Sequence, residues 1–201
     1  MGLRGRESKG LGFFSPGERG FAALGLSGME YQIRLARSED CKDIVRMIRE
    51  LAEFEKLSEQ VEITEEVLQK DGFAEDPFYK CLVAELHPEQ RSTEGFRIIG
   101  YALYFFTYST WKGRTLFLED LYVMPEFRGK GIGTKLMSKV AEVGLSRGCT
   151  RLQLSVLDWN HAARDVYVRR GALNMTVAEG WHLYRFQGDA LKALAEGTMK
   201  V

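Results

Sequence analysis

The sequence predicts an α/β fold in which a mixed, twisted sheet is flanked by helices on both faces. Segments rich in β-branched and aromatic residues alternate along the chain with segments whose apolar residues recur at helical spacing. Their order, β-α-α-β-β-β-α-β-α-β, is typical of a mixed α/β sheet. With 201 residues, of which 45% are hydrophobic, the chain is long enough to bury one sizeable core.

The first predicted element is a strand that begins at Tyr31, because YQIRLA alternates apolar and polar side chains as a half-buried strand does. Ser38 can cap a helix, and Thr64 can cap a second, shorter helix that Gly72 ends. The inward stripe of the first helix consists of Ile44, Val45, Ile48, Leu51 and Ala52. Three strand candidates come next: CLVAEL, IIGYALYFF and TLFLEDLYV. The run HPEQRSTEG, between the first and the second, has the composition of a surface loop.

The later elements begin with a helix from Gly131 that Gly148 stops. One face of this helix carries Ile132, Leu136, Val140 and Val143. The run RLQLSVL is another strand, and Asn160 caps a helix that ends at Gly171. The run HLYRFQ is the last predicted strand, and LKALAEG is a short terminal helix.

The composition argues against several classes of binding partner and against a metal site. The 28 basic and 28 acidic residues cancel, which argues against nucleic acid or an anionic membrane as the main partner. No apolar run approaches the roughly 20 residues that span a bilayer. The three cysteines and three histidines are scattered, so we expect reduced thiols in a cytoplasmic protein and no metal site.

The first 28 residues differ in composition from the rest, being rich in glycine and without a sustained apolar period. A mobile extension is expected, because such a segment buries too little surface to offset its ordering entropy. An organelle transit segment is the alternative, which the basic residues favour and two glutamates oppose. Met29 directly precedes the first strand, and a shorter form that starts there is expected to fold equally well.

The run MPEFRGKGIG joins a predicted strand to a predicted helix and carries three glycines and two cations. Such a turn exposes backbone N–H groups at a helix N-terminus, which together with Arg128 and Lys130 makes a cradle for a phosphate anion. The run matches neither a nucleoside-triphosphate loop nor Gly-x-Gly-x-x-Gly, since Thr134 stands where the third glycine belongs. The alternative is that the glycines, taken alone, make just a tight turn.

The run does match Arg-x-x-Gly-x-Gly, through Arg128, Gly131 and Gly133. It thereby resembles the pyrophosphate signature of the GNAT superfamily of N-acetyltransferases. The resemblance extends to the diamine acetyltransferase family over most of the regular region, through LAEFEKLSEQV, DPFYKCLVAE, YFFTYSTWKGR, LEDLYVMP, LDWN and EGWHL. The runs YSTWKGR and VLDWN are most similar to its thialysine N-epsilon-acetyltransferase branch. The resemblance implies a GNAT domain at residues 29–201, with six to seven strands, acetyl-CoA as co-substrate and a homodimer.

The resemblance also implies a cofactor site. The loop would hold the pyrophosphate of acetyl-CoA through Arg128, Gly129, Lys130, Gly131, Ile132, Gly133 and Thr134. Leu121, Tyr122 and Val123 would pair with the pantetheine arm, and one of their N–H groups would stabilise the oxyanion. Asn160 would make a further cofactor contact.

Two residues are candidates for proton transfer. Tyr167 lies seven positions, or two helical turns, after Asn160, so it shares a helix face with the cap and can act as the general acid. The alternative is a core tyrosine that packs through its ring. Glu119 is the candidate base, because a carboxylate inside a strand is costly unless paired, and burial would raise its pKa. The alternative is a paired edge carboxylate, which is the favoured interpretation of Asp120 on the opposite face.

The resemblance implies an amine site at Phe54, Glu55 and Glu119, with Glu179 and Trp181 as further substrate contacts. Trp111 could pack over an aliphatic amine or make a cation–π contact with it. The polyamine-specific member of the family has an aspartate in the position of Ser109, and losing that carboxylate removes one attraction for a distant ammonium. Small amines that resemble lysine, such as thialysine, are therefore expected to be better substrates than spermidine or spermine.

Three functions remain open from the sequence. The first is acetylation of small-molecule amines, either lysine analogues or polyamines. The second is non-catalytic acyl-CoA binding, against which the joint presence of Glu119 and Tyr167 argues. The third is acetylation of protein N-termini or lysines, because an acidic patch near Glu55 would also suit basic tails.

Overall fold

The computed structural model describes residues 28–198, which form two compact units. The chain passes from the first unit to the second between Ser155 and Val156. The expected extension, residues 1–28, lies outside the described range except for Gly28. The extension and a domain start at Met29 therefore stay predictions.

The first unit is built on one sheet whose strands neighbour each other in sequence order. The strands are β1 (Tyr31–Leu35), β2 (Lys80–Leu86), β3 (Ile98–Ser109), β4 (Gly113–Val123) and β5 (Arg151–Leu154). The first four are antiparallel to their neighbours, whereas β5 runs parallel to β4. The sheet is therefore mixed, and the predicted α/β class is confirmed.

The helices of the first unit cover both faces of this sheet. They are α1 (Cys41–Glu55), α2 (Glu65–Phe73) and α3 (Ile132–Ser146). Tyr122 and Val123 are successive residues of β4, so their side chains point to opposite faces. The Tyr122 hydroxyl donates to Glu50 of α1, and a Cβ built on Gly133 of α3 would lie 3.6 Å from Cγ2 of Val123. Helices α1 and α3 therefore pack on opposite faces, as predicted.

The core of the first unit joins the sheet to both helix layers. The predicted stripe of α3 is buried at Ile132, Leu136 and Val140. In α1, Ile44 and Ala52 are buried as expected, whereas Ile48 packs against the core while partly exposed. The apolar spacing in the sequence therefore identified the inward face of each helix.

The predicted ends of the helices have mixed outcomes. Thr64 accepts a hydrogen bond from the Val67 N–H and caps α2, as predicted. The prediction that Ser38 caps the first helix is wrong, because a 3-10 turn at Ser38–Asp40 comes first and α1 begins at Cys41. Asp40 accepts a hydrogen bond from the Arg37 N–H, so the carboxylate organises this turn in place of the Ser38 hydroxyl.

Gly72 was predicted to end the second helix, but α2 continues to Phe73. The glycine is needed for packing instead, since a Cβ at this position would lie 2.3 Å from the ring of Tyr79. The Tyr79 hydroxyl donates to the Leu68 carbonyl at 2.7 Å, which holds the ring across the helix. A close approach of side chain to backbone therefore explains Gly72 better than a helix stop does.

The second unit contains three helices, α4 (His161–Arg169), α5 (Met175–Glu179) and α6 (Asp189–Glu196). The Asn160 side chain accepts a hydrogen bond from the Ala163 N–H at 3.2 Å, so the predicted cap of α4 is confirmed. Helix α5 was not predicted. The predicted strand HLYRFQ is wrong, since residues 181–187 form no strand.

The described residues therefore contain five strands, not the six to seven that were expected. Alternating side chains give a segment the pattern of a strand, but a strand also needs a neighbour to pair its backbone groups. The pattern in the sequence could not supply that neighbour.

Candidate active site

The predicted anion cradle lies where β4 ends and α3 begins. After Val123 the chain makes a 3-10 turn at Pro125–Phe127, and the buried Phe127 side chain fixes this turn to the core. Gly129 and Gly131 then adopt left-handed backbone angles, with φ values of 75° and 80°. This path leads directly into the first turn of α3.

The start of α3 suits an anion. Its N-cap is Gly131, which has no side chain to cap the helix, and the first turn holds no acidic residue. The first N–H groups of a helix have no carbonyl partner within it and carry the positive end of its dipole. Lys130 and Lys135 lie within a turn of this point, each with Nζ 5.1 Å from an aromatic ring centre. The local geometry therefore fits the predicted phosphate cradle, and the binding role of these residues stays a prediction.

Arg128 takes a position that the sequence did not indicate. Its Nε donates to the Val123 carbonyl at 2.8 Å, and its guanidinium lies 5.4 Å from the Phe54 ring centre and 5.3 Å from that of Tyr122. The charge is stacked between two rings rather than extended along the loop. Arg128 thereby brings together predicted cofactor residues, Tyr122 and Val123, and a predicted substrate residue, Phe54.

The pairing of β3 with β4 is irregular at the candidate base. Tyr104 lies opposite Leu118 and Leu103 lies opposite Asp120, so Glu119 is the extra residue of a β-bulge. Glu119 is exposed, and the burial that we expected for it is wrong. Strict alternation of faces holds only in a regular ladder, and no glycine or proline in TLFLEDLYV signalled the bulge. Its role as a base stays a prediction.

Asp120 is half-buried, whereas its neighbour Glu119 is exposed. The Tyr101 hydroxyl donates to its Oδ2 at 2.9 Å. Burial raises the pKa of the Asp120 carboxyl above its usual range, although the hydrogen bond from Tyr101 opposes this. The favoured interpretation of Asp120 as a paired carboxylate fits this geometry, but no pattern in the sequence indicated that a buried tyrosine would be its partner.

Glu55 ends α1 and is half-buried. Burial raises the pKa of its carboxyl, and the negative charge of Asp120 raises it further. Two carboxyls that disfavour each other's ionisation are both relieved by a cation. The end of α1 and the bulge of β4 therefore form an electrostatic environment suited to an ammonium group.

Tyr122 links the strand of the predicted cofactor site to α1. Its hydroxyl donates to Oε2 of Glu50 at 2.9 Å. Burial raises the pKa of Tyr122 to about 12, and the hydrogen bond to Glu50 adds to this effect. Glu50 and Tyr101 are therefore contacts of the site that sequence reasoning missed, because pairs so far apart in the chain leave no local pattern.

The fold does not bring Trp111 close to the residues around Arg128. It lies in the turn between β3 and β4, at the opposite end of β4 from Arg128, and its side chain is exposed. The Ser109 hydroxyl accepts hydrogen bonds from the N–H groups of Trp111 and Lys112 and so stabilises the turn.

The remaining candidates belong to the second unit. Asn160 caps α4, and the half-buried Tyr167 follows on the same helix two turns later. Trp181 donates from its indole nitrogen to the carboxylate of Glu179, so these two predicted substrate residues contact each other. The roles assigned to all four residues stay predictions.

Two other kinds of feature are absent from residues 28–198. None of the helices there combines the length and apolar character needed to cross a membrane. No group of three or more His, Cys, Asp or Glu side chains within this range could hold a metal ion.

Comparison with known proteins identifies the family. The profile described as the acetyltransferase (GNAT) family matches residues 43–172. Thialysine N-epsilon-acetyltransferase from Bos taurus is 57% identical over 163 residues, which cover 81% of this chain and 96% of the bovine protein. The protein of the same name from Caenorhabditis elegans is 35% identical over 83% of this chain and 98% of its own length. A relative with a different name, human spermidine/spermine N(1)-acetyltransferase-like protein 1, is 38% identical over 84% of this chain and 24% of its own length.

Solved structures agree with this result. An integron cassette protein from V. cholerae matches with a TM-score of 0.65 and 26% identity, over 83% of this chain and 98% of its own. The aminoglycoside N-acetyltransferase AAC(6')-Iy, solved in complex with CoA, matches at 19% identity with a TM-score of 0.58, over 81% of this chain and 98% of its own, which supports the fold alone. Since the family profile spans more than half of the chain and the curated relatives align over most of both sequences, this chain is an acetyltransferase of the GNAT family.

Proposed function

We propose that this acetyltransferase transfers the acetyl group of acetyl-CoA to the side-chain amine of a small, lysine-like molecule such as thialysine. The observation that carries the proposal is the adjacency of two complementary sites in the first unit. Arg128 stands between them, since it follows β4 at the start of the anion cradle and stacks on Phe54, one residue before Glu55.

The donor side is supported by the cradle. Acetyl-CoA supplies a thioester-activated acetyl group and a diphosphate of high negative charge. The N–H groups of residues 129–134, with Lys130 beside them, would hold that diphosphate. Leu121 to Val123, which lead into the cradle, would align the pantetheine arm through their backbone and provide an N–H for the oxyanion.

The acceptor side is supported by the acidic environment at Glu55 and Asp120. A protonated amine would enter there as the cation that both carboxyls favour. Phe54 and Tyr122, whose rings already stack on Arg128, would form an apolar wall for the methylene groups of the substrate.

The proton transfers are assigned to Glu119 and Tyr167. The ammonium loses a proton to Glu119, directly or through water, and the neutral nitrogen then attacks the thioester carbonyl. As the new C–N bond forms and the C–S bond breaks, Tyr167 gives its proton to the departing thiolate. The nitrogen loses its second proton as the amide forms, and that proton restores the phenol of Tyr167. Exposure of Glu119 on the bulge would leave it within reach of water.

The preference for a lysine-like amine rests on the relatives and on Ser109. Relatives at 56–57% identity are named thialysine N-epsilon-acetyltransferases, and a 38% identical relative is named after spermidine and spermine. The Ser109 hydroxyl is used in the β3–β4 turn and offers no negative charge to a second, distant ammonium. Substrates with one reactive amine and a short chain are therefore favoured.

Several further properties belong to this proposal. The catalytic domain would comprise residues 29–201, and the protein would be a cytoplasmic homodimer, with Glu179 and Trp181 as further substrate contacts. Its main partner would be a small-molecule amine rather than nucleic acid or a membrane, consistent with a net charge of zero.

A panel of amines assayed with acetyl-CoA tests the proposal. Thialysine, spermidine, spermine and a lysine-containing peptide are compared by kcat/KM, with thiol release as the readout. We expect thialysine to have the highest value. A higher value for spermidine would reassign the enzyme to polyamines, and a higher value for the peptide would reassign it to proteins. Binding of coenzyme A without turnover of any amine would mean a non-catalytic acyl-CoA-binding protein.

A further inference from the structure

A surface cavity of about 410 Å³ lies beside α1 and the 3-10 turn that follows it. Its walls carry two basic, two acidic and two smaller side chains: Arg46, Arg49, Glu50, Glu53, Ser58 and Val61. We call it the α1 cavity. A cavity of this size is large enough for an amino acid, and its mixed charges suit a ligand that is itself both positive and negative.

Two of the four charged residues are already engaged by the protein. Arg46 donates to Glu50, Asp43 and the Ile98 carbonyl, and its guanidinium stacks on the Phe96 ring at 3.8 Å. Glu50 accepts from both Arg46 and Tyr122, so both of its carboxylate oxygens have partners. This pair therefore forms a fixed, charge-balanced wall.

The other two charged residues are not engaged. Arg49 and Glu53 are four residues apart, on the same face of α1, and both are exposed. Among residues 28–198, no hydrogen bond or ion pair engages the side chain of either residue. Oppositely charged side chains at this spacing commonly pair with each other, so two open charges of opposite sign here are available to a ligand.

We propose that the α1 cavity binds the α-amino and α-carboxylate groups of the amino-acid substrate, with Arg49 receiving the carboxylate and Glu53 the ammonium. This inference rests on the proposed function and adds the basis of its specificity. An arginine fork matches a carboxylate in geometry as well as in charge.

The cavity is close enough to the candidate site for one substrate to occupy both. Glu50 lines the cavity and is hydrogen-bonded at 2.9 Å to Tyr122, a residue of the strand that leads to the cradle. Phe54 lies four residues after Glu50, on the same face of α1, and its ring contacts Arg128. The head group of a lysine-like molecule would bind in the cavity while its side-chain amine points past Phe54 towards the acceptor side.

This arrangement discriminates between the three classes of amine. A free amino acid offers a carboxylate to Arg49 and an ammonium to Glu53. A polyamine has no anion for Arg49, which would instead repel its ammonium groups. A lysine within a peptide has amides in place of both charges, so neither residue gains an ion pair.

The test uses two substrates of equal length, thialysine and bis(2-aminoethyl) sulfide, which is thialysine without its carboxylate. In Arg49→Gln, we expect KM for thialysine to rise about tenfold, as loss of one charge-assisted contact predicts. KM for the sulfide should stay unchanged or fall, because the sulfide has no carboxylate for Arg49 and is relieved of its repulsion. In Glu53→Gln, KM should rise for both, because both carry the second ammonium. Lys42→Gln removes a charge from an exposed position on the same helix outside the cavity and should change neither value.

The outcomes distinguish a failure of the α1-cavity assignment from a failure of the proposed function. Equal effects of Arg49→Gln on the two substrates, or no effect on thialysine, would overturn the assignment of the cavity and leave the proposed function standing. If the wild-type enzyme acetylates neither substrate, both are overturned. Circular dichroism and thermal melting of each variant show whether a change in KM reflects a change in fold, and Glu53→Gln gives a second reading if Arg49→Gln does not fold.

Discussion

Replacing Gly131 with alanine tests the anion cradle at its centre. Gly131 is the N-cap of α3 and has φ +80°, a left-handed angle that costs an alanine about 1–2 kcal/mol. No atom lies within 4 Å of the added Cβ, so this strain is the whole cost to the fold. For a protein of this size, we expect the melting temperature to fall by about 2–8 °C.

The effect on coenzyme A binding should be larger than the effect on stability. Relief of the strain would rotate the backbone away from its left-handed angle and misalign the N–H groups at the start of α3. Loss of one or two charge-assisted hydrogen bonds to a phosphate, at about 1.5–3 kcal/mol each, weakens binding by at least about tenfold. Isothermal titration calorimetry with coenzyme A measures the affinity, and differential scanning calorimetry measures the stability.

Gly148→Ala is the matched control at the other end of α3. Gly148 has φ +74°, and the nearest atom to an added Cβ is Nη1 of Arg114 at 4.0 Å. It should therefore lose a similar amount of stability and keep its affinity for coenzyme A. Unchanged affinity in Gly131→Ala, or an equal loss in Gly148→Ala, would refute the assignment of the cradle.

Three other changes test the acid, the buried carboxyl and the ionic network of the fold. Tyr167→Phe keeps the ring and removes the proton, so kcat should fall about 100-fold with KM unchanged in steady-state assays, and a wild-type kcat would contradict the general acid. Burial raises the pKa of the Asp120 carboxyl, so the ionised carboxylate destabilises the folded state. The protein therefore loses stability as the pH rises from about 3.9, the pKa of this carboxyl in the unfolded chain, towards its higher pKa in the folded protein. The melting temperature of Asp120→Asn relative to wild type should therefore increase as the pH rises above about 4, and a difference independent of pH would contradict the burial effect. Arg34 bridges the buried Asp40 and Glu85, so Arg34→Met should cost about 3 kcal/mol in urea unfolding, and a loss below about 1 kcal/mol would mean that the carboxylates find other partners.

The sequence predicted best the features that depend on neighbouring residues. The caps at Thr64 and Asn160 form as expected, because the side chain and the N–H group that it binds are three residues apart. The buried stripe of α3 follows from its spacing alone. The glycine-rich turn between β4 and α3 also follows from local sequence, since only glycine adopts its left-handed angles at little cost.

Features that depend on distant residues were missed. The bulge at Glu119 arises from the register of β4 against β3, and it moved burial to the neighbouring carboxylate, Asp120. The hydrogen bond from Tyr101 to Asp120 and the stacking of Arg128 on Phe54 join residues that are far apart in the chain. Neither contact leaves a local pattern.

Two predictions of single elements, a helix end at Gly72 and a strand at HLYRFQ, failed for the same reason: both were made from local sequence alone. A glycine near a helix end predicts a stop, but at Gly72 the ring of Tyr79 occupies the space where a side chain would be. The alternation in HLYRFQ predicts a strand, but residues 181–187 form none. Local preference proposes an element, and the rest of the chain decides whether it forms.

By itself, the sequence determined the α/β class, the inward faces of the helices, the glycine-rich turn before α3 and the resemblance to the acetyltransferases that the comparisons bear out. These properties depend on residue type at fixed short spacing, where helix and strand geometry are known in advance. Only the tertiary structure decided which carboxylate is buried, where the charge of Arg128 lies and which charges beside α1 are left open, because these depend on strand register and on contacts between residues that are distant in the chain.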